Sequence, residues 1–165
     1  MSETVSFETD AVNLACFEVC GQEYALPVEN VREIVRIMEV TPLPNAPALI
    51  EGVIDLRGAV VPVIDLAKML GRGVGDSAMS ARIVVLDVAE LTFGLWVSGA
   101  TDVLTLGRAD LEAVPALATQ SGYAVVRHVV RRPERAPVMV LSIENLIAAV
   151  QRSETGSAVE KEGPA

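Results

Sequence analysis

GVIDLRGAVVPVIDL, residues 52–66, sets two aspartates ten positions apart in an otherwise apolar run, with Arg57 and Gly58 between them. Val53–Leu56 and Ala59–Ile64 are short and rich in β-branched residues, and the Arg-Gly pair between them reads as a two-residue turn. The stretch is a hairpin. Asp65 then precedes Leu66, Met69 and Leu70 at i, i+3, i+4, and Gly71 follows. That pattern is an N-cap, a helical turn over 65–70 and a C-terminal glycine. The carboxylates have two readings. Asp65 caps the turn and Asp55 bonds backbone beside a tight corner, or the two converge as the acid pair of a small hydrolase. The first explains each residue from its own neighbours; the second stands as the different-class alternative.

Outward from this hairpin, the chain is a series of short strands. Leu14–Cys20 and Tyr24–Val28 flank a turn at Gly21-Gln22. Val28, Val31, Ile34, Val35 and Met38 recur at helical spacing, which predicts an amphipathic helix over 28–38. TPLPNAP (41–47) is a proline-stiffened extended loop, and Pro47 can open one further helical turn closed by Gly52. GRGVGDSAMS (71–80) is a flexible connector. Arg82–Val88 and Leu91–Val97 form a hairpin around Ala89-Glu90, and Asp102–Leu106 continues the strands. A turn of helix is expected at Ala109–Ala113. Tyr123–Val130 and Val138–Leu141 are strands around the tip RRPERAP, and Ser142 caps a helix over 142–152. PVIDLAKML (62–70) and PVMVLSIENLI (137–147) share one plan: proline, apolar strand, capping residue, amphipathic helix. Many short strands with two similar endings suggest paired small β-barrels.

A chain of 165 residues can bury roughly 70% of its unfolded surface, enough for an unassisted core. Hydrophobic residues make up 51% but aromatics only 4%, so the core is aliphatic. The three acids of residues 1–12 and the net −2 of residues 153–165 leave −4 of the total −9 on the body. That balance argues against nucleic acid and suits protein partners. Residues 1–12 are expected to be a flexible acidic N-terminus, 13–152 a single domain, and 153–165 a disordered tail. The start lacks the marks of a signal peptide, and the longest uncharged stretch, 113–126, is too short and polar to cross a bilayer. Two cysteines, Cys16 and Cys20, point to the cytoplasm.

Catalytic chemistry finds little footing. His128 is the only histidine, the cysteines share one strand face, and no nucleophile elbow or phosphate-binding glycine loop is present. No metal and no cofactor is expected. Arg57 stands out instead: a guanidinium at a hairpin tip is either a solvated turn residue or a contact that pairs with a partner's carboxylate. Arg127, Arg131, Arg132 and Arg135 form a second basic group, either a solvated rim or a docking patch for an acidic protein.

The order V-x-x-V-R-E-I (28–34), P-N-A-P (44–47), E-G-V-I-D-L-R-G (51–58), V-P-V-I-D-L (61–66) and G-L-W-V-S-G-A-T-D-V-L-T-L (94–106), closed by an amphipathic helix, resembles the CheW-like coupling proteins of bacterial chemosensory pathways. The resemblance runs from about Leu14 to Val150. It implies a mainly β fold of two intertwined SH3-like β-barrel subdomains with short helices. It further implies a non-enzymatic adaptor that links the cytoplasmic tip of methyl-accepting chemoreceptors to the regulatory domain of a CheA-type histidine kinase, cytoplasmic but recruited to membrane-associated receptor arrays without inserting in the membrane. By motif position Val31, Glu33, Arg57 and Gly58 belong to the receptor-facing groove, Gly52 and Gly99 shape it, and the late arginines become a candidate kinase-docking patch. The family usually has Asn at Asp55, and often Asp and Val at Ser98 and Ala100; Trp96 is large for its place. An auxiliary protein of a non-flagellar, surface-motility pathway, binding receptors without a kinase, is the alternative within the family.

Overall fold

The computed structural model describes residues 11–71, 73, 79–114 and 125–162, the last ten as backbone. Among the described residues eleven strands make two sheets. The first half supplies β1 (Ala11–Val19), β2 (Gln22–Pro27), β3 (Val31–Arg36), β4 (Ile50–Leu56) and β5 (Ala59–Asp65), then the one-turn helix α1 (Leu66–Met69). The second half supplies β6 (Arg82–Val88), β7 (Leu91–Val97), β8 (Gly99–Gly107), the short β9 (Glu112–Ala113), β10 (Val126–Arg132) and β11 (Arg135–Leu141), then α2 (Ile143–Glu162).

Each sheet mixes the halves. Sheet A runs β8-β1-β2-β11-β10-β9, and sheet B runs β3-β6-β7-β5-β4. The first hairpin of each half, β1–β2 or β6–β7, stays in one sheet, while the next strand crosses to the other. Thus β3 pairs with β6 and β8 pairs with β1. Each sheet also holds one parallel pair, β2 with β11 and β5 with β7. In both, the strand that leads into a capped helix makes that pair, which gives the two similar sequence endings a common structural place.

Neither sheet closes by a full ladder, but each is drawn round by the chain that continues from its exchanged strand. Past β3, Thr41 exchanges backbone hydrogen bonds with Val53 of β4 (2.8 and 2.9 Å). Past β8, β9 pairs with β10 through Glu112–Val129 and Ala113–His128. These are two open, SH3-like subdomains. The largest apolar cluster lies between the sheets: Phe17, Val19, Tyr24 and Leu26 meet Val84, Leu86, Phe93 and Leu95, and Leu146 of α2 joins them. Leu14, Cys16, Val130 and Val138 form a second cluster with sheet A, and Ile54, Val63, Ile83 and Val85 a third with sheet B.

Several sequence expectations need correction. Residues 28–38 are not a helix: Val28–Asn30 is a single 3-10 turn and Val31–Arg36 is strand β3, alternating half-buried and exposed. Over so short a segment a period of 3.6 and a period of 2 select overlapping residues, and pairing with β6 decides between them. Ala109–Ala113 is not a helical turn; a 3-10 turn at Arg108–Asp110 leads into β9. The hydrogen bond from Ile50 N–H to Pro47 O (3.0 Å) makes a tight turn, not a helix, and Gly52 lies inside β4. The first turn falls at Cys20-Gly21, one residue early, and the last hairpin turns at Pro133-Glu134, so the strands run through most of the RRPERAP tip. The strand β1 begins at Ala11, within the stretch expected to be flexible. The backbone of α2 continues to Glu162, into the expected disordered tail. Residues 1–10, 163–165, most of the 71–80 connector and Tyr123–Ala124 lie outside the described residues.

Candidate partner-binding site

The hairpin β4–β5 settles the question of the two aspartates. Asp55 Oδ1 accepts the N–H of Gly58 (2.9 Å), and buried Asp65 accepts from Ala67 N–H (3.0 Å) and Lys68 N–H (3.4 Å). Asp55 faces Val60 near the tip and Asp65 ends β5 at the open end, a separation of about 17 Å at the rise of a strand. They shape the chain at opposite ends of one hairpin and do not converge. Cys16 is no better placed to react: burial first, then the charge of Glu23, pushes its thiol up to about 11, which keeps it protonated near neutrality.

Arg57 occupies the tip with φ +53, and Gly58 follows at φ +88. Positive φ at both central residues is what a two-residue turn needs to match strand twist. A side chain larger than glycine costs something at such a position, so Arg57 is placed where folding alone would choose Asn or Gly. Its guanidinium bonds Glu33 Oε2 on β3. The Arg57 side chain is 66% exposed and that of Glu33 25%. Because β3 and β4 are the outer strands of sheet B, this pair ties the sheet's two edges together near the tip, while the Thr41–Val53 bridge ties them further along.

Of the residues expected in the receptor-facing groove, the structure brings Glu33, Arg57 and Gly58 together. Val31 sits two residues before Glu33 on the same strand and packs at the margin of the central core. The two candidate groove-shaping glycines part company. Gly52 is required where it is: at φ +155, a Cβ would lie 2.3 Å from Thr41 O, so the edge-tying bridge forbids any side chain. Gly99 begins β8 in sheet A, where a Cβ would meet Ser80 O at 3.4 Å, an ordinary contact. Two exposed apolar residues on the strands that carry the tie were not singled out as site residues by sequence. Val60 is 71% exposed opposite Asp55, and Ile34 is 40% exposed beside Glu33. In a run such as AVVPVI nothing marks which valine faces water.

The four late arginines each have a carboxylate. Arg127 meets Glu144 (3.6 Å) and Arg131 meets Glu112 (2.9 Å), both on the surface. Arg132 and Arg135 converge on Glu23 of β2 (2.6 and 3.3 Å), and Arg132 also donates to Ala136 O (2.7 Å). The side chains of Arg132 and Glu23 are each only 13% exposed. Thr101 Oγ1 donates to the same carboxylate (2.8 Å). Burial raises the Glu23 pKa, but the bonds from Thr101 and Arg132 and the two guanidinium charges outweigh it and hold it below the usual glutamate value. These arginines are therefore not one uncompensated basic patch: Arg132 is built into the fold, and the others are paired at its rim.

No helix among the described residues is long and apolar enough to cross a membrane. Residues 13–151 match the family model of the CheW-like domain. The chain is 37% identical to the "Chemotaxis protein CheW" of Rhizobium meliloti over 64% of this chain and 68% of that one. It is 31% identical to the "Chemotaxis protein CheW" of Bacillus subtilis over 87% and 89%. Its structure is similar to that of the scaffolding protein TtCheW from Thermoanaerobacter tengcongensis, with a TM-score of 0.72, 26% identity and coverage of 80% and 84%. Two SH3-like subdomains with exchanged strands, matched along nearly their whole length, place this chain in the CheW-like domain family.

Proposed function

We propose that this chain is a non-enzymatic adaptor that couples methyl-accepting chemoreceptors to a CheA-type histidine kinase, working in the cytoplasm at membrane-associated receptor arrays. The observation that carries the reading is the Glu33–Arg57 tie: a guanidinium held out on a strained turn and fixed by one carboxylate, on a hairpin whose Val60 is also exposed. Arginine is among the residues most enriched at the centres of protein contacts. Coupling then comes from differential affinity, since receptor states that hold the adaptor–kinase unit differently shift the kinase between populations.

Arg132, the covered member of the four late arginines, is committed to Glu23 of the same chain, which favours a second reading, an auxiliary adaptor of a non-flagellar pathway that binds receptors without a kinase. One titration separates them. Arg57→Glu and Glu33→Lys are added to receptor-containing membranes with the kinase, following receptor binding and kinase activity. Truncating an arginine at a desolvated contact costs roughly 2 kcal/mol, about thirtyfold in affinity, so both folded variants should lose receptor-dependent kinase control. If Arg57→Glu couples as well as wild type, the receptor surface lies elsewhere. If wild type binds receptors but never changes kinase activity, the auxiliary reading takes over.

A further inference from the structure

We propose that two copies of this chain can close as an intertwined dimer, each body built from the first half of one copy and the second half of the other. Every apolar cluster is shared: the central cluster takes seven buried residues from 11–71 and seven from 79–162, and the sheet A cluster takes three from each. The sheet B cluster sets Ile54, Leu56, Val61 and Val63 against Ile83 and Val85. The ladders β1–β8 and β3–β6 and the parallel pairs β2–β11 and β5–β7 all run between halves. So do the bonds of Glu23 to Thr101, Arg132 and Arg135, and the hydrogen bond from Ser98 N–H to Glu18 O (2.8 Å). A half alone keeps only its own ladders, β1–β2 and β4–β5 in the first and β6–β7 and β9–β10–β11 in the second, and only part of each apolar cluster.

Against this, one stretch of chain, from Gly71 to Met79, is the only covalent link between the halves. None of the contacts above depends on which copy supplies each half, so the exchanged dimer keeps all of them and differs only in how the links run. A short link gives an effective concentration in the millimolar range. The monomer therefore dominates at ordinary dilution, and the dimer appears when folding takes place near that concentration. Val31, Glu33, Arg57 and Gly58 all lie in the first half, so each body keeps a complete cluster. Only the corollary that the dimer is a bivalent adaptor rests on the proposed function.

The test uses the full chain with Asn13→Cys and Thr105→Cys, whose side chains meet across the β1–β8 ladder (Asn13 Oδ1 accepting from Thr105 Oγ1 at 2.7 Å), and with the exposed Cys20→Ser. The protein is unfolded, refolded at near-millimolar and at micromolar concentration, oxidised, and separated by size. The expected result is a dimer peak only from the concentrated sample. Under denaturing, non-reducing conditions that peak runs at twice the chain mass, while the monomer peak runs at one. A second variant, deletion of residues 74–78 in the otherwise unchanged chain, should raise the dimer fraction at least tenfold at fixed concentration. A dimer peak that falls apart to single chains despite complete oxidation shows side-by-side association and overturns the proposal. So does a chain that stays monomeric at near-millimolar concentration with both the full and the shortened link.

Discussion

The hairpins β4–β5 and β10–β11 hold the same place in the two sheets, and they spend arginine in opposite ways. Each runs next to the strand of a parallel pair and ends in a capped helix, Asp65 serving α1 and Ser142 serving α2, whose Oγ accepts the Asn145 N–H (3.2 Å). Each also ties an arginine to a glutamate of the chain at its sheet's edge, Arg57 to Glu33 on β3 and Arg131 to Glu112 on β9. In β10–β11, however, Arg132 is turned in on Glu23, bonded on several sides and nearly covered. In β4–β5 the guanidinium stays at the tip with most of its surface in water. The lesson is that residue type does not tell a covered, multiply bonded arginine from an exposed one with a single partner; its surroundings do.

If this distinction is right, Arg132→Ala has the largest effect on folding. It leaves a covered carboxylate short of its main donor, which should cost about 3 kcal/mol in chemical denaturation. The same carboxylate fixes a pH response. Because the Glu23 pKa is held down in the folded protein, its stabilisation is present above the unfolded glutamate value of about 4.3 and is lost as pH falls through the lower folded value. Arg132→Ala should flatten that acid limb in a series of melts below pH 5; an unchanged limb would show that other acids control it.

Gly52→Val comes next. It drives a side chain into the Thr41 backbone, and the shift should cost roughly 2 kcal/mol by the usual scale of overpacking. Amide exchange should show the Thr41 and Val53 N–H groups losing protection before the rest of sheet B. Asp65→Ala removes a helix cap and should cost about 1 kcal/mol, with partner binding intact in the folded protein; loss of a hydrolytic activity in that variant would instead revive the acid-pair reading. Arg57→Ala is smallest for folding, below about 0.5 kcal/mol for an exposed ion pair, although it should be the most damaging of the four to receptor binding. Equal destabilisation by Arg57→Ala and Arg132→Ala would erase the contrast between the hairpins.

Legibility followed the range of the interactions. The hairpins around Arg57-Gly58 and Ala89-Glu90, the two caps and the mainly β class were readable because turn chemistry and apolar runs are local. The exchange of β3 and β8 was not, since it depends on pairing with strands tens of residues away. The same lack misassigned 28–38: five apolar residues at helical spacing look self-sufficient until β6 is there to pair with them. At the site, Arg57 could be singled out from its turn, whereas its bond to Glu33 across 24 residues could not. The reach of Glu23 to Arg132 and Arg135 is longer still, which is why the sequence left the four arginines as one group, solvated rim or docking patch.

The ladder between β1 and β8 also carries a cost in time. Glu18 pairs with Gly99, and Ala11 with Gly107, so strand β1 must wait for some eighty further residues to be made. At roughly 5–20 residues per second that wait is about 4–16 s, far longer than an apolar chain takes to collapse. Throughout it the nascent chain presents Leu14, Cys16 and Phe17 with no partner strand on that side. Each molecule must therefore pass through seconds of sticky, half-built sheet on the ribosome, the interval in which a chaperone would meet it.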